Sequence, residues 1–231
     1  MREHLDPQAS PAESGAEKSH PLQLPQFSLR KAVRPLIAKP APVLEVAEGL
    51  ALRSLEPDDE HLLYDLVERN RSHLESWLSW IEQIKTLRDC RRFVDKTRYN
   101  DIFSGRWVYG VWYEDALVGL LDFNEGDRTL NQISIGYWLD EAHQGRGIVT
   151  RCVVKALDYV FSSEEIARIL IKCATTNKKS QAIPERLGFT FEGVDKDAGT
   201  VQGKLVDMAT YSMLYREWME HQAKRASNTQ P

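Results

Sequence analysis

The sequence predicts an α+β (mixed α/β) fold with one central sheet flanked by helices. Three features carry that expectation. The runs "RWVYGVWYED", "ALVGLLDF" and "QISIGYWL" are rich in β-branched and aromatic residues, which suit a mostly buried sheet. The stretch "WLDEAHQGRGIVTRCVVKALDYVF", residues 138 to 161, passes from a strand end through two glycines into apolar positions at helical intervals. The continuous apolar run "ARILIKCATTN" then supplies a second strand, completing a βαβ centre.

In chain order, residues 1–45 read as a disordered or extended tail. They hold seven of the ten prolines (Pro7, Pro11, Pro21, Pro25, Pro35, Pro40, Pro42) and show no hydrophobic period. The tail's basic residues, Arg30, Lys31, Arg34 and Lys39, read first as a solvated charge run and second as a contact for RNA or an acidic partner. Residues 46–220 form the expected domain. A short strand near Leu50 to Arg53 leads to a helix with Pro57 and Asp58 in its first turn and Leu62, Leu63, Leu66 and Val67 on one face. Leu74, Trp77, Leu78 and Ile81 continue the helical spacing, and a third helix is expected near Thr86 to Phe103.

Glu114 and Asp115 join the next two strands as a hairpin. "QISIGYWL" is a further strand, and Val149, Val153, Leu157 and Val160 or Phe161 give the following helix a face to pack on the sheet. "KKSQAIPERLG" is a short helix closed by Gly188, "FTFEGV" a strand, and "VDMATYSMLY" the last strand. Residues 221–231, "HQAKRASNTQP", are expected to fray as a polar tail.

Composition narrows the classes. A chain of 231 residues with 42% hydrophobic content buries one sizeable core. A net charge of -4, from 30 basic and 34 acidic residues, gives no whole-chain attraction to nucleic acid or anionic membrane. Cys90, Cys152 and Cys173 are odd in number and lack metal-site spacing, so neither a disulfide framework nor a zinc site is expected. With no long apolar span and no signal-peptide core, the expected home is the cytoplasm.

Gly145 and Gly147 bring bare backbone to the start of a helix, whose unpaired N–H groups and partial positive charge favour an anion. Arg146 adds a full charge. On these residues alone, a tight turn and a phosphate-bearing ligand are equally good readings. A Rossmann fingerprint would need glycine at Thr150, and no Walker sequence occurs. At the equivalent stage of the next unit stand Asn177 and Ser180. Asn177 serves equally as a helix N-cap or a ligand contact, and Ser180 as a first-turn residue or a site hydroxyl. Pro184 cannot donate to the carbonyl of Ser180, which leaves that turn open or kinked.

"IGYWLDEAHQGRGIVT" followed by "NKKSQAIPERLGFTFEGV" resembles the GNAT acetyltransferase superfamily, and within it the RimJ/RimL-type ribosomal-protein N-terminal acetyltransferases. The resemblance covers about residues 46–218. It implies a mostly antiparallel mixed sheet with a V-shaped opening that holds acetyl-CoA. It places the pyrophosphate on the loop of Gln144, Gly145, Arg146, Gly147 and Ile148. It gives Asn177 a contact with pantetheine and Ser180 the role of protonating the departing CoA thiolate. The family pattern Q/R-x-x-G-x-G/A is met at Gln144 and Gly147 but broken at Val149, so Val149→Ala is expected to tighten acetyl-CoA binding.

Direct transfer needs a neutral amine, a polarised carbonyl and a proton for the thiolate. Backbone N–H groups near the end of "QISIGYWL" are expected to hold the carbonyl, and Cys173 reads as a buried apolar residue rather than a nucleophile. No base is assigned; Asp122, Glu125, Asp140 and Glu141 read as exposed loop carboxylates. An α-amine costs about 0.5–1 kcal/mol to deprotonate near neutrality and a lysine about 4 kcal/mol, so a site without a strong base suits a protein N-terminus or a water relay better than a lysine. Trp77 reads as a packing residue, and Trp80 as packing or as a wall of the acceptor pocket.

The leading reading is therefore acetyl transfer from acetyl-CoA to the N-terminal amine of a ribosomal protein. A polyamine or aminoglycoside acetyltransferase and a non-catalytic acyl-CoA-binding module are the alternatives. A ribosome tether in the tail and a homodimer are compatible with the sequence; a membrane or sequence-specific nucleic-acid partner is not expected.

Overall fold

The computed structural model describes residues 42–98, 107–163 and 165–228. The basic cluster of the N-terminal segment and the end of the helix expected near Phe103 lie outside them. The described chain folds as β1 (Leu44–Ala47), β2 (Leu50–Ser54), α1 (Glu60–Glu75), α2 (Leu87–Arg98), β3 (Trp107–Tyr113), β4 (Ala116–Asp127), β5 (Gln132–Leu139), α3 (Ile148–Phe161), β6 (Arg168–Ala174), α4 (Lys178–Leu187), β7 (Thr190–Val201), β8 (Lys204–Leu214) and α5 (Tyr215–Asn228). The eight strands form one sheet in the order β1-β2-β3-β4-β5-β6-β8-β7. Every neighbouring pair is antiparallel except β5 and β6.

That parallel pair creates the feature on which the site depends. β5 and β6 are in register only over Gln132–Ser134 and Arg168–Leu170. Beyond Ser134, β5 continues along β4 as far as Leu139, while β6 continues along β8 as far as Ala174. The two strands part, and the sheet opens as a V.

Side-chain alternation along the strands loads both faces of the sheet. Tyr109, Phe123, Ile133 and Ile135 face a core completed by Cys152, Val153, Ala156, Leu157 and Val160 of α3. Val108, Leu120 and Trp138 face the other core, completed by Leu63, Leu66 and Val67 of α1 and by Cys90 and Val94 of α2. The β3–β4 hairpin turns on Glu114 and Asp115, both at positive φ (48° and 65°), the geometry that matches the twist of a two-residue hairpin.

Four expectations are corrected. β1 begins at Leu44, which is buried, so the ordered fold starts ahead of residue 46. Leu62 is exposed, because its neighbour Leu63 takes the buried face of α1. The helical spacing after Leu74 does not continue α1: the backbone is extended at Leu78 and a 3-10 turn spans Ser79–Gln83. Arg71 holds this bend by donating to the carbonyls of Ile81 and Ile84, and Ile81 remains fully buried. The polar end does not fray at residue 221, since α5 runs to Asn228. Its anchor is Trp218, fully buried, whose indole N–H donates to Asp158 of α3 at 2.9 Å. No helix among the described residues is long and apolar enough to cross a membrane.

Candidate active site

The loop from β5 to α3 is fixed before it reaches its glycines. The Asp140 N–H donates to the Val118 carbonyl at 2.7 Å, and the Glu141 N–H donates to Asn70 Oδ1 at 2.9 Å. The Asp140 carboxylate, 5% exposed, lies 3.3 Å from the Arg69 guanidinium and 2.9 Å from His143 Nδ1. Burial opposes its charge, but hydrogen bonds from Asn70 and His143 and the charge of Arg69 outweigh that effect and hold its pKa below the ordinary carboxylate value. Asp140 is thus a buried structural carboxylate and not the exposed loop acid expected of it.

Gln144 ties the loop to two helices. Its Nε2 lies 3.0 Å from His73 Nε2 on α1, and its Oε1 accepts from Lys179 Nζ on α4 at 2.9 Å. Gly145 and Gly147 then sit at φ 76° and 69°, left-handed values that favour glycine. A β-carbon at either position would meet nothing within 4 Å, so the reason for glycine is backbone conformation and an open face. Gly147 precedes α3 without a side-chain cap, leaving first-turn N–H groups to an outside acceptor. The helix end favours an anion by about 0.3–1 kcal/mol, and Arg146 and Lys179 add full charges nearby. This cradle fits a pyrophosphate. Val149 is half-buried against the core, so the departure from the family pattern falls on a side chain that serves packing, while its backbone stays in the first turn.

Across the opening, Asn177 caps α4 by accepting from the Ser180 N–H at 3.1 Å. Its amide nitrogen has no protein partner among the described residues, so capping through the oxygen is compatible with offering the nitrogen to a ligand. Gln181, buried, donates to the carbonyls of Ala174 and Thr175 at 3.1 and 2.8 Å and fixes α4 to the end of β6. The Ser180 carbonyl that Pro184 leaves open does not stay open. Tyr137 of β5 donates its hydroxyl to it at 3.0 Å, and the Ser180 hydroxyl lies 3.5 Å from the same phenol oxygen. Tyr137 is a site residue that the sequence reading did not single out; the only signal was that the Pro184 turn lacks one donor. Burial drives the Tyr137 phenol well above its ordinary pKa, which keeps it a proton donor. Burial likewise raises the Cys173 thiol, only partly offset by a hydrogen bond with Ser180, and a thiol held protonated is a poor nucleophile.

On the sheet face opposite α3, a cavity of about 200 Å³ lies at the apex of the V. Asn124, Glu125, Ser134, Gly136, Lys172 and Asp195 line it. Glu125 accepts from Lys172 at 2.7 Å and from Ser134 at 3.2 Å. Asp122 is 2% exposed and hydrogen-bonded by Asn124, so it too departs from the expected exposed acid. Glu141 is exposed as expected. Trp80 stacks on Phe93 with ring centroids 5.3 Å apart, and neither it nor Trp77 lines this cavity.

Comparison with known proteins accords with this geometry. The model of the acetyltransferase (GNAT) domain matches residues 50–190. The chain is 33% identical over 177 residues to the YdaF protein of Bacillus subtilis (strain 168), covering 75% of this chain and 96% of that protein. It is 29% identical over 171 residues to the ribosomal-protein-serine acetyltransferase of Escherichia coli (strain K12), covering 74% and 96%. Among solved structures, RimL, a ribosomal L7/L12 alpha-N-protein acetyltransferase in complex with coenzyme A, superposes with a TM-score of 0.72 at 27% identity over 76% of this chain and 99% of that one. The family match across more than half of the sequence, on a sheet that parts between a glycine-led helix and Ser180, establishes that the chain belongs to the GNAT acetyltransferase family.

Proposed function

We propose that this enzyme acetylates the N-terminal α-amine of a ribosomal protein, with acetyl-CoA as cosubstrate. The observation that carries the reading is the parting of β5 from β6 between the open start of α3 and the Asn177–Ser180 turn. Likeness to the E. coli ribosomal-protein-serine acetyltransferase supports the acceptor class.

Acetyl-CoA supplies an acyl group on a good leaving group. The chain's residues do the rest. N–H groups of Ile148 to Thr150, with Arg146 and Lys179, take the pyrophosphate. Gln144 holds that loop against α1 and α4. The edge of β5 beyond Ser134, free of β6, offers main-chain groups to the pantetheine and to the carbonyl that gains negative charge. The Asn177 amide nitrogen, without a protein partner among the described residues, is left to contact the pantetheine. Ser180 hydrogen-bonds the leaving sulfur. An aliphatic hydroxyl is a weaker acid than a thiol, so Ser180 stabilises the thiolate rather than parting permanently with its proton. The C–N bond forms as the C–S bond breaks, and the proton shed by nitrogen is the one the thiol finally carries.

The acceptor enters from the cavity on the other face, where Lys172 offsets the charge of Glu125 and the remaining carboxylate, Asp195, favours an ammonium over an anion. A volume of about 200 Å³ accommodates a small first residue. The reaction brings acetyl-CoA and ribosomal proteins together, so the reading places the enzyme in the cytoplasm. Incubation with labelled acetyl-CoA, ribosomal proteins bearing free N-termini, and a panel of polyamines and aminoglycosides tests the acceptor. Label on α-amines is expected; label on small amines alone would reverse the assignment.

A further inference from the structure

Ser180 has both of its main-chain groups held by side chains. Its N–H donates to Asn177 Oδ1 at 3.1 Å, and its carbonyl accepts from the Tyr137 hydroxyl at 3.0 Å. In a regular helix the carbonyl would accept from the N–H four residues on, but that residue is Pro184, which is buried and has none. The donor comes instead from β5, 43 residues earlier in the chain.

Tyr137 and Ser180 stand on opposite walls of the V. Tyr137 lies on β5 beyond the last residue paired with β6, and Ser180 lies on the helix that follows β6. Their hydrogen bond is therefore a strut across the gap in the sheet. The phenol oxygen is also 3.5 Å from the Ser180 hydroxyl, so the group that fixes the Ser180 backbone also borders its side chain. The bond is half-buried, and the acceptor has no i+4 donor of its own, so losing the phenol leaves a partly desolvated carbonyl without its partner.

We infer that Tyr137 is the positioning residue of Ser180: by replacing the donor that Pro184 lacks, it sets the place of the Ser180 hydroxyl relative to β5 across the opening. The inference rests on the acetyl-transfer reading for its kinetic consequence and on geometry alone for its structural one. A core tyrosine that merely fills space would contribute to stability without acting through Ser180 or through Pro184.

Two cycles on the full chain separate these cases. In the first, thiol release from acetyl-CoA with a peptide acceptor is measured for wild type, Y137F, S180A and the double variant. Y137F should lower kcat about tenfold while leaving KM for acetyl-CoA within about twofold, the rate equivalent of one lost hydrogen bond. In the S180A background it should change kcat by less than about twofold, since the group it positions is gone. In the second, urea unfolding compares Y137F with Y137F/P184A. Alanine at 184 returns an N–H to the Ser180 carbonyl, so P184A should recover most of the midpoint lost in Y137F and most of its lost kcat.

An active wild type in which Y137F slows the reaction equally with and without Ser180, or in which P184A rescues neither midpoint nor rate, overturns the inference alone. A wild type that binds acetyl-CoA and acetylates no acceptor overturns the acetyl-transfer reading and, with it, the kinetic role of Tyr137. If Y137F does not fold, the comparison is made on Y137F/P184A; failure of that variant to fold also counts against the strut.

Discussion

Gly136 and Asp122 face each other across β4 and β5 so closely that a β-carbon on Gly136 would stand 2.6 Å from Asp122 Oδ1. The absence of a side chain on one strand gives room to a buried carboxylate on the next, beside the cavity at the apex of the V. Gly136→Ala should displace Asp122 at a cost of about 1–3 kcal/mol in stability and raise KM for the peptide acceptor. Urea unfolding and steady-state kinetics read the two effects. In an Asp122→Ala background the stability cost should shrink, and an equal cost there would show that the carboxylate is not what Gly136 accommodates.

Ser180→Ala should lower kcat about a hundredfold, the lower range for a positioned acid–base group, with little change in KM for acetyl-CoA because Asn177 caps Ser180 through its main-chain N–H. Free thiol release measures this directly. A proportional rise in KM with kcat unchanged would make Ser180 a binding residue only.

Asp140→Asn should destabilise the fold by about 1–3 kcal/mol at pH 7, the cost of breaking a buried hydrogen-bonded charge, because Arg69 and His143 lose their partner. The wild-type carboxyl has a depressed folded pKa, so its contribution is present above the unfolded value of about 3.9 and is lost as pH falls through the lower folded value. The gap between wild type and variant should therefore narrow below about pH 4. Denaturation midpoints across pH 2 to 7 would show it, and a gap that stays constant would contradict the charged role.

Val149→Ala should cost about 1 kcal/mol of packing and leave the dissociation constant of acetyl-CoA within about twofold. The valine side chain packs on the core, which is the ground for expecting no obstacle to the cofactor there. Calorimetry decides: tightening by several-fold would restore the motif-based expectation.

Much of this architecture was legible locally. The hairpin at Glu114 and Asp115, the glycine turn into α3 and the cap at Asn177 each rest on residues within a few positions of one another. What escaped depends on distant partners. Leu74 and Ile81 keep helical spacing although Arg71 holds the chain in a bend between them. α5 is polar along its length and stands on Trp218, whose partner Asp158 is 60 residues away. Pro184 announced a missing donor, but nothing near it in sequence pointed to Tyr137. Asp122 read as an exposed loop acid because the glycine that leaves it room, Gly136, belongs to the neighbouring strand.

The most direct test is a single-turnover reaction of the wild-type enzyme with labelled acetyl-CoA and a ribosomal protein, followed by mass spectrometry of the N-terminal peptide and a count of released thiol. One thiol per α-N-acetyl group, strongly slowed in Ser180→Ala and absent from lysine side chains, is the expected result. Thiol release without α-amine acetylation, or acetylation unaffected by Ser180→Ala, would contradict the site assigned to this fold.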